Sequence, residues 1–253
     1  MNIGFFGDSY CDIIYFEDQE YRAHPEKWGR QYKTWCARLL DDMKSPILSS
    51  GLGGSSIYHS IDKWEKDPNK NNYDYVFWSL TWYNRLYTSE HFQPVFSARA
   101  ERRPIPESTN PYISYHEISQ GLDLYYKYFY QDNEKIFNYE QSLKWILELP
   151  KQYTDTKFIF LPCTEHSRRL SLKYFNTGVL VNFSFEVLSN LETGSIGPMP
   201  INCGRMGHFN DHNHEMFATQ MKNIIHNYPQ VANSVVKLEL DNFDLTSLPT
   251  FNV

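Results

Sequence analysis

The chain has 253 residues, and its 24 Lys+Arg against 30 Asp+Glu give a formal net charge of −6 and a pI of about 5.8. That balance argues against a strongly nucleic-acid-binding domain, whose electrostatic footprint is basic. Hydrophobic residues at 41% and charged residues at 21% exclude wholesale disorder. At roughly 100–200 residues per domain the length suits one large domain.

Aromatic residues are abundant, with 19 Tyr, 17 Phe and 6 Trp. They imply either a ring-rich core or exposed rings that stack on a ligand such as a sugar, and composition does not separate the two. The longest apolar runs are strand-length, as in Val76-Phe77-Trp78, far short of the roughly 18 residues of a membrane span, so no membrane association is expected. The start, Met1 to Phe6, has neither a basic n-region nor an apolar h-region, and no export signal is expected. Cys11, Cys36, Cys163 and Cys203 are widely scattered. They read as free thiols of a reducing compartment, with neither a disulfide framework nor a zinc site.

In chain order, Ile3 to Phe6 is a short apolar run stopped by Gly7-Asp8-Ser9, which predicts a buried strand ending in a sharp turn. From Pro25 to about Met43, Trp28, Tyr32, Trp35, Leu39 and Leu40 recur at helical spacing. Ile47-Leu48 then leads into Ser49-Ser50-Gly51-Leu52-Gly53-Gly54-Ser55-Ser56, a turn whose serines can cap a helix running through Trp64. Tyr73 to Leu80 is the next apolar run and ends in a polar turn at Tyr83-Asn84-Arg85. Residues from about 88 to 116 hold Pro94, Pro104, Pro106, Pro111 and the basic cluster Arg99, Arg102 and Arg103. They read as a long loop that either binds substrate or is solvated. Glu117 to Leu149 carries helical spacing, as two helices broken near Asp132-Asn133. Lys157 to Leu161 is an apolar strand closed by Pro162. Val179 to Val187 reads as strand or as a mixture, Asp211 to about Ile225 as a helix, and Val236 to Leu240 as an extra edge strand or a partner-facing extension. The alternation of strand, turn and helix predicts a parallel central sheet with helices on both faces. We expect one domain over residues 1–230 and a C-terminal extension over 231–253.

Ligands in open α/β sheets bind beyond the carboxyl ends of the strands, so the turns there hold the candidate chemistry. Four are notable: Ser9 on its tight turn, the bare backbone of Gly53-Gly54, the side-chain amide of Asn84, and His208-Phe209-Asn210 at the entry to the last helix. A nucleophile, a base and oxyanion donors are all represented. His212, His214 and Glu215 invite a metal reading with His208, but no His-Glu-x-x-His pattern is present and no metal is expected. Asn84 has a plainer role as a turn cap, and Gly53-Gly54 as a packing device.

The four turns, in this order, resemble the four blocks of the SGNH (GDSL-type) hydrolases. The start Gly4-Phe5-Phe6-Gly7-Asp8-Ser9-Tyr10-Cys11 and the run Gly53-Gly54-Ser55-Ser56-Ile57 also resemble SGNH-type proteins encoded by tailed phages. The resemblance implies a three-layer α/β/α fold with a central parallel sheet, flavodoxin-like in outline, and a serine esterase mechanism without cofactor. It implies Ser9 as nucleophile, His208 as general base and acid, and the oxyanion donors as the backbone N–H groups of Ser9 and Gly54 with the Asn84 amide. The chain departs from the family in two places. Arg205 stands where an Asp normally orients the histidine, leaving a main-chain carbonyl, Asp211, Asn202 or Glu165 as substitutes. Arg85 stands where an Asp usually follows the Asn, and pairs either with an anionic substrate or with a surface carboxylate.

The expected substrate is a small ester, in particular an O-acetyl group on a saccharide. The rival from another class is a catalytically silent binding or structural protein, such as a virion component, and a third option is acyl transfer to a sugar hydroxyl. Partners beyond substrate are limited to a homo-oligomer or virion contact, in the cytoplasm or on a particle.

Overall fold

A computed structural model of the protein describes residues 1–13, 33–52, 55–82, 132–191, 195–196, 199–200, 209 and 211–245. The apolar runs read from the sequence pair side by side as strands. β1 (Ile3–Phe6), β2 (Tyr75–Leu80), β3 (Lys157–Pro162) and β4 (Val179–Asn182) lie in that order. A minor antiparallel pair, β5 (Ser195–Ile196) and β6 (Met199–Pro200), stands apart, and β7 (Ser234–Lys237) completes the main sheet beside β4. Every pairing in the five-stranded sheet is parallel, from Ile3 opposite Tyr75 at one side to Asn182 opposite Lys237 at the other.

Parallel strands need crossovers, and the helices that supply them cover both faces of the sheet. The helices are α1 (Trp35–Met43), α2 (Ile57–Lys66), α3 (Asp132–Gln152), α4 (Glu165–Tyr174), α5 (Phe185–Asn190), α6 (Asp211–His226) and α7 (Tyr228–Val231). Because side chains alternate along a strand, Phe5, Phe77, Ile159 and Val181 face α1 and α6. Phe6, Trp78, Phe160 and Leu180 face α2 and α3. All eight are fully buried, which explains why the strands read as continuous apolar runs and not as alternating ones. Much of the aromatic content is core: Trp35 packs edge-on between Phe5, Phe77 and Phe217 at centroid distances of 5.4, 5.5 and 5.0 Å.

Several boundaries differ from the sequence reading. The helix expected from Pro25 starts at Trp35, because Thr34 is extended and its hydroxyl accepts the Ala37 N–H as an N-cap; a capping hydroxyl competes with helix continuation. Residues 25–32 lie outside the described residues. Ile47-Leu48 contributes a single parallel bridge, Ile3 to Ile47, and no full strand. The Ser49 hydroxyl takes over the rest of that edge, accepting from Phe5 N and donating to Phe5 O. Val179 to Val187 is a mixture, strand β4 followed by α5 behind a Ser184 cap. The alternating tail starts pairing two residues earlier than read and stops at Lys237, as β7. Phe243 beyond it is buried in the core.

The chain thus runs from β1 to the Ile47 bridge on one side and returns through α2 to β2 on the other. This reversal is a topological switch point at the carboxyl end of β1, the kind of place where open α/β sheets bind ligands. Gly7 sits there with φ +125°, where a Cβ would come within 2.5 Å of the Ser79 Cβ and 2.6 Å of the Ser79 carbonyl. Gly7→Ala is expected to cost about 2–4 kcal/mol in urea unfolding, since both the backbone conformation and the close approach resist a side chain. A change inside about 0.5 kcal/mol, the usual range for innocuous substitutions, would contradict this.

Candidate functional site at the end of strand β1

The switch-point turn is a single 3₁₀ turn, Ser9–Cys11, capped by the Asp8 side chain through Tyr10 N. Its backbone is closed by Cys11 N donating to Asp8 O at 3.0 Å. Neighbouring segments tie it down further. Gly51 N donates to Cys11 O at 2.8 Å and Leu52 N to Gly7 O at 3.0 Å. The Ser55 hydroxyl donates to the same Gly7 carbonyl at 2.8 Å, and the Trp35 indole N–H donates to Tyr10 O at 2.6 Å. At Gly51 a Cβ would lie 2.4 Å from Asp8 O, so the close approach of the two turns requires glycine there. The residues on both sides of Gly53-Gly54 are therefore fastened to the turn that carries Ser9.

Beneath the turn lies a polar cluster that sequence reasoning did not single out. Asp8 is fully buried. Its Oδ1 accepts from Tyr10 N at 3.2 Å and from Ser79 Oγ at 3.0 Å, with Cys163 Sγ at 3.6 Å. Ser79 Oγ and Cys163 Sγ are themselves 2.7 Å apart. The available signal was a serine inside the otherwise apolar strand Tyr75–Leu80. On the outer side, Lys63 of α2 donates to Ser50 O, and burial pushes its ammonium pKa down. Ser50 Oγ in turn donates to Asp12 at 3.2 Å.

The entry to α6 reaches the same region through aromatic rings. Tyr10 stacks on Phe185 with centroids 4.3 Å apart and planes at 9°. Phe185 packs against Phe209 at 5.6 Å. The chain neighbours of Ser9 and His208 thus share one ring.

Of the proposed nucleophile, base and oxyanion residues, Ser9 alone lies among those described, and it is half-buried. Gly54, Asn84, Arg85, Asn202, Arg205 and His208 lie outside the described residues, as do the loop at 88–116 and Cys203. Cys11, Cys36 and Cys163 are all buried. Burial pushes the Cys36 thiol pKa well up. Glu165 is held by two arginines: Arg168 grips both its oxygens at 2.7 Å and Arg169 meets Oε1 at 2.9 Å. Hydrogen bonding by Arg168 is the main cause of its lowered pKa. Two histidines in the first turn of α6 have different partners. His212 Nε2 lies 2.8 Å from Asn242 O, and His214 Nδ1 accepts from Trp35 N at 3.1 Å.

No family model matches the chain, and no curated protein matches it significantly. Among solved structures, it is similar to one described as a GDSL-like lipase from Parabacteroides merdae, at 15% identity and TM-score 0.42 over 87% of this chain and 93% of that one. It is similar to an acetyl xylan esterase at 14% identity and TM-score 0.42, over 89% of this chain and 100% of that one. A mutant of an acetyl-xylooligosaccharide esterase from Geobacillus Stearmophilus gives 15% identity and TM-score 0.44, over 88% and 93%. At these scores the likeness assigns no chemistry, and the α/β fold stands on the strand order and register of this chain.

His214 supplies a test of the packing below the last helix's entry. Burial lowers its pKa from 6.5 to about 3, so the folded chain holds the ring neutral while the unfolded chain takes up a proton below about 6.5. The stability this confers is complete above about pH 6.5 and falls toward pH 3, by at most about 1.4 kcal/mol per pH unit. His214→Asn keeps an acceptor for Trp35 N and removes the titration. Between pH 7.5 and 5, urea unfolding should show wild type losing about 2 kcal/mol more than the variant. Parallel pH profiles would contradict the burial of the ring.

Proposed function

We propose that the protein is a serine esterase that hydrolyses a carboxylic ester, acting on O-acetyl groups of a carbohydrate. Ser9 Oγ attacks the acyl carbon as His208 takes its proton. His208 then gives that proton to the departing alcohol oxygen, leaving an acyl-serine. Water, deprotonated by the same imidazole, releases the acid and restores the serine. The backbone N–H groups of Ser9 and Gly54 and the amide of Asn84 receive the charge that develops on the carbonyl oxygen, a contribution on the order of 10²–10³ in rate per donor.

The observation that carries this reading is the ring of Phe185, which Tyr10 stacks on at 4.3 Å and Phe209 packs against at 5.6 Å. Consecutive Cα atoms are about 3.8 Å apart, so Ser9 and His208 are each one peptide link from a shared contact. The bonds from Leu52 N and Ser55 Oγ to Gly7 O give the same support for Gly54. With Glu165 engaged by Arg168 and Arg169, we read the machinery as a Ser–His dyad whose imidazole is oriented by a main-chain carbonyl. The acetyl and carbohydrate parts extend the motif resemblance, and acetate release from an acetylated polysaccharide tests them separately.

Ser9→Ala should lower p-nitrophenyl acetate hydrolysis at least about 10³-fold, since the nucleophile itself is removed. A serine-reactive phosphonate should label Ser9 in the wild type. Unchanged hydrolysis in the variant would overturn the assignment. No hydrolysis across a broad ester panel, with no labelling, would favour the silent binding protein that Arg205 in place of an orienting acid suggests.

A further inference from the structure

Resting on the esterase reading, we propose that Ser79 and Cys163 are positioning residues for Ser9, acting through the buried Asp8 carboxyl group. Three strand ends meet at a single oxygen. Asp8 follows β1, Ser79 is the penultimate residue of β2, and Cys163 comes directly after β3. Ser79 Oγ donates to Asp8 Oδ1 at 3.0 Å, and Cys163 Sγ lies 3.6 Å from the same atom and 2.7 Å from Ser79 Oγ. That oxygen also accepts from Tyr10 N at 3.2 Å, the bond that caps the turn carrying the nucleophile.

Asp8 and Ser79 are fully buried, as is Cys163. A polar group in such a place is costly unless its hydrogen bonds are made, and its position follows its donors. Ser79 and Cys163 therefore set where Oδ1 sits, and Oδ1 sets the pitch of the Ser9–Cys11 turn. The Gly7 backbone has no room to absorb an error, because a Cβ there would already meet Ser79 at 2.5 Å. Asn84 follows the end of the same strand by four positions in sequence, and the cluster fixes the nucleophile's turn relative to that strand end. Small displacements of a reacting group are expensive in rate while leaving substrate affinity largely intact.

The experiment compares Ser79→Ala, Cys163→Ala and Cys163→Ser in the full chain, with p-nitrophenyl acetate kinetics and hydrogen exchange at the Tyr10 amide. Ser79→Ala and Cys163→Ala should lower kcat about tenfold, with KM within about twofold, and should speed Tyr10 exchange by about tenfold. Cys163→Ser keeps a donor and should stay within about twofold of wild type on both measures. The proposal is overturned if kcat is unchanged in both alanine variants, if Cys163→Ser falls as far as Cys163→Ala, or if only KM moves. Should Ser79→Ala fail to fold, the two Cys163 variants decide alone. Absence of Ser9-dependent hydrolysis in the wild type sinks the esterase reading and reduces this proposal to the positioning of the Ser9–Cys11 turn. Tyr10 exchange then decides it: faster in the alanine variants only supports the positioning role, and equal rates in all proteins end it.

Discussion

The structure depends on how closely the chain can be folded against itself where β1 ends. Gly7 takes φ +125° directly over Ser79, and its carbonyl receives both Leu52 N and Ser55 Oγ. Those contacts hold three segments in one place: the turn of Ser9, the serine and glycine turn before α2, and the end of β2. A side chain at Gly7 or at Gly51 would separate them. The parallel sheet makes the arrangement possible, because parallel register brings the ends of β1, β2 and β3 to the same side.

Burial and chemistry divide along the alternation of the strands. One face of the sheet is sealed by α2 and α3 through Phe6, Trp64, Trp78 and Phe158. The other face is sealed by α1, α5 and α6, and it is this layer that runs continuously from Trp35 through Phe217 to Phe185, Tyr10 and Phe209. Rings of this size bury large apolar areas and prefer edge and offset packing, so they lock neighbouring elements in orientation as well as in distance. The aromatic residues of this second layer act as the spacer between the Ser9 turn and α6. His214 belongs to that spacer: its ring contacts Phe209 at 5.6 Å, and its Nδ1 receives the amide that opens α1.

Much of this was legible before any coordinates. Uninterrupted apolar runs such as Val76-Phe77-Trp78 and Phe158-Ile159-Phe160-Leu161 signal strands buried on both sides, and glycine and serine turns after them signal the parallel class. Helix limits were less legible where capping decided them, as at Thr34, whose hydroxyl ends a pattern that periodicity alone continues. Ile47 shows another limit: a short apolar pair cannot report that a serine hydroxyl will take the hydrogen bonds of the edge beside it. The block residues could be named from their types and order. Ser79 was signalled only by its place in an otherwise apolar strand, and nothing local tells that it or Cys163 serves a buried carboxyl group 71 or 155 positions away. Equally, the link between Tyr10 and Phe209 through Phe185 exists only in three dimensions.

The proposed esterase mechanism requires Ser9, Gly54, Asn84 and His208 to converge on one reacting atom at the carboxyl end of β1. A crystal structure of the phosphonate-treated protein tests it directly. The account predicts phosphorus bonded to Ser9 Oγ, its oxygen within about 2.7–3.1 Å of the Ser9 and Gly54 amides and the Asn84 side chain, and His208 within hydrogen-bond reach of Ser9 Oγ. Phosphorus on another residue, or an adduct on Ser9 with His208 and Asn84 remote from it, would contradict the account.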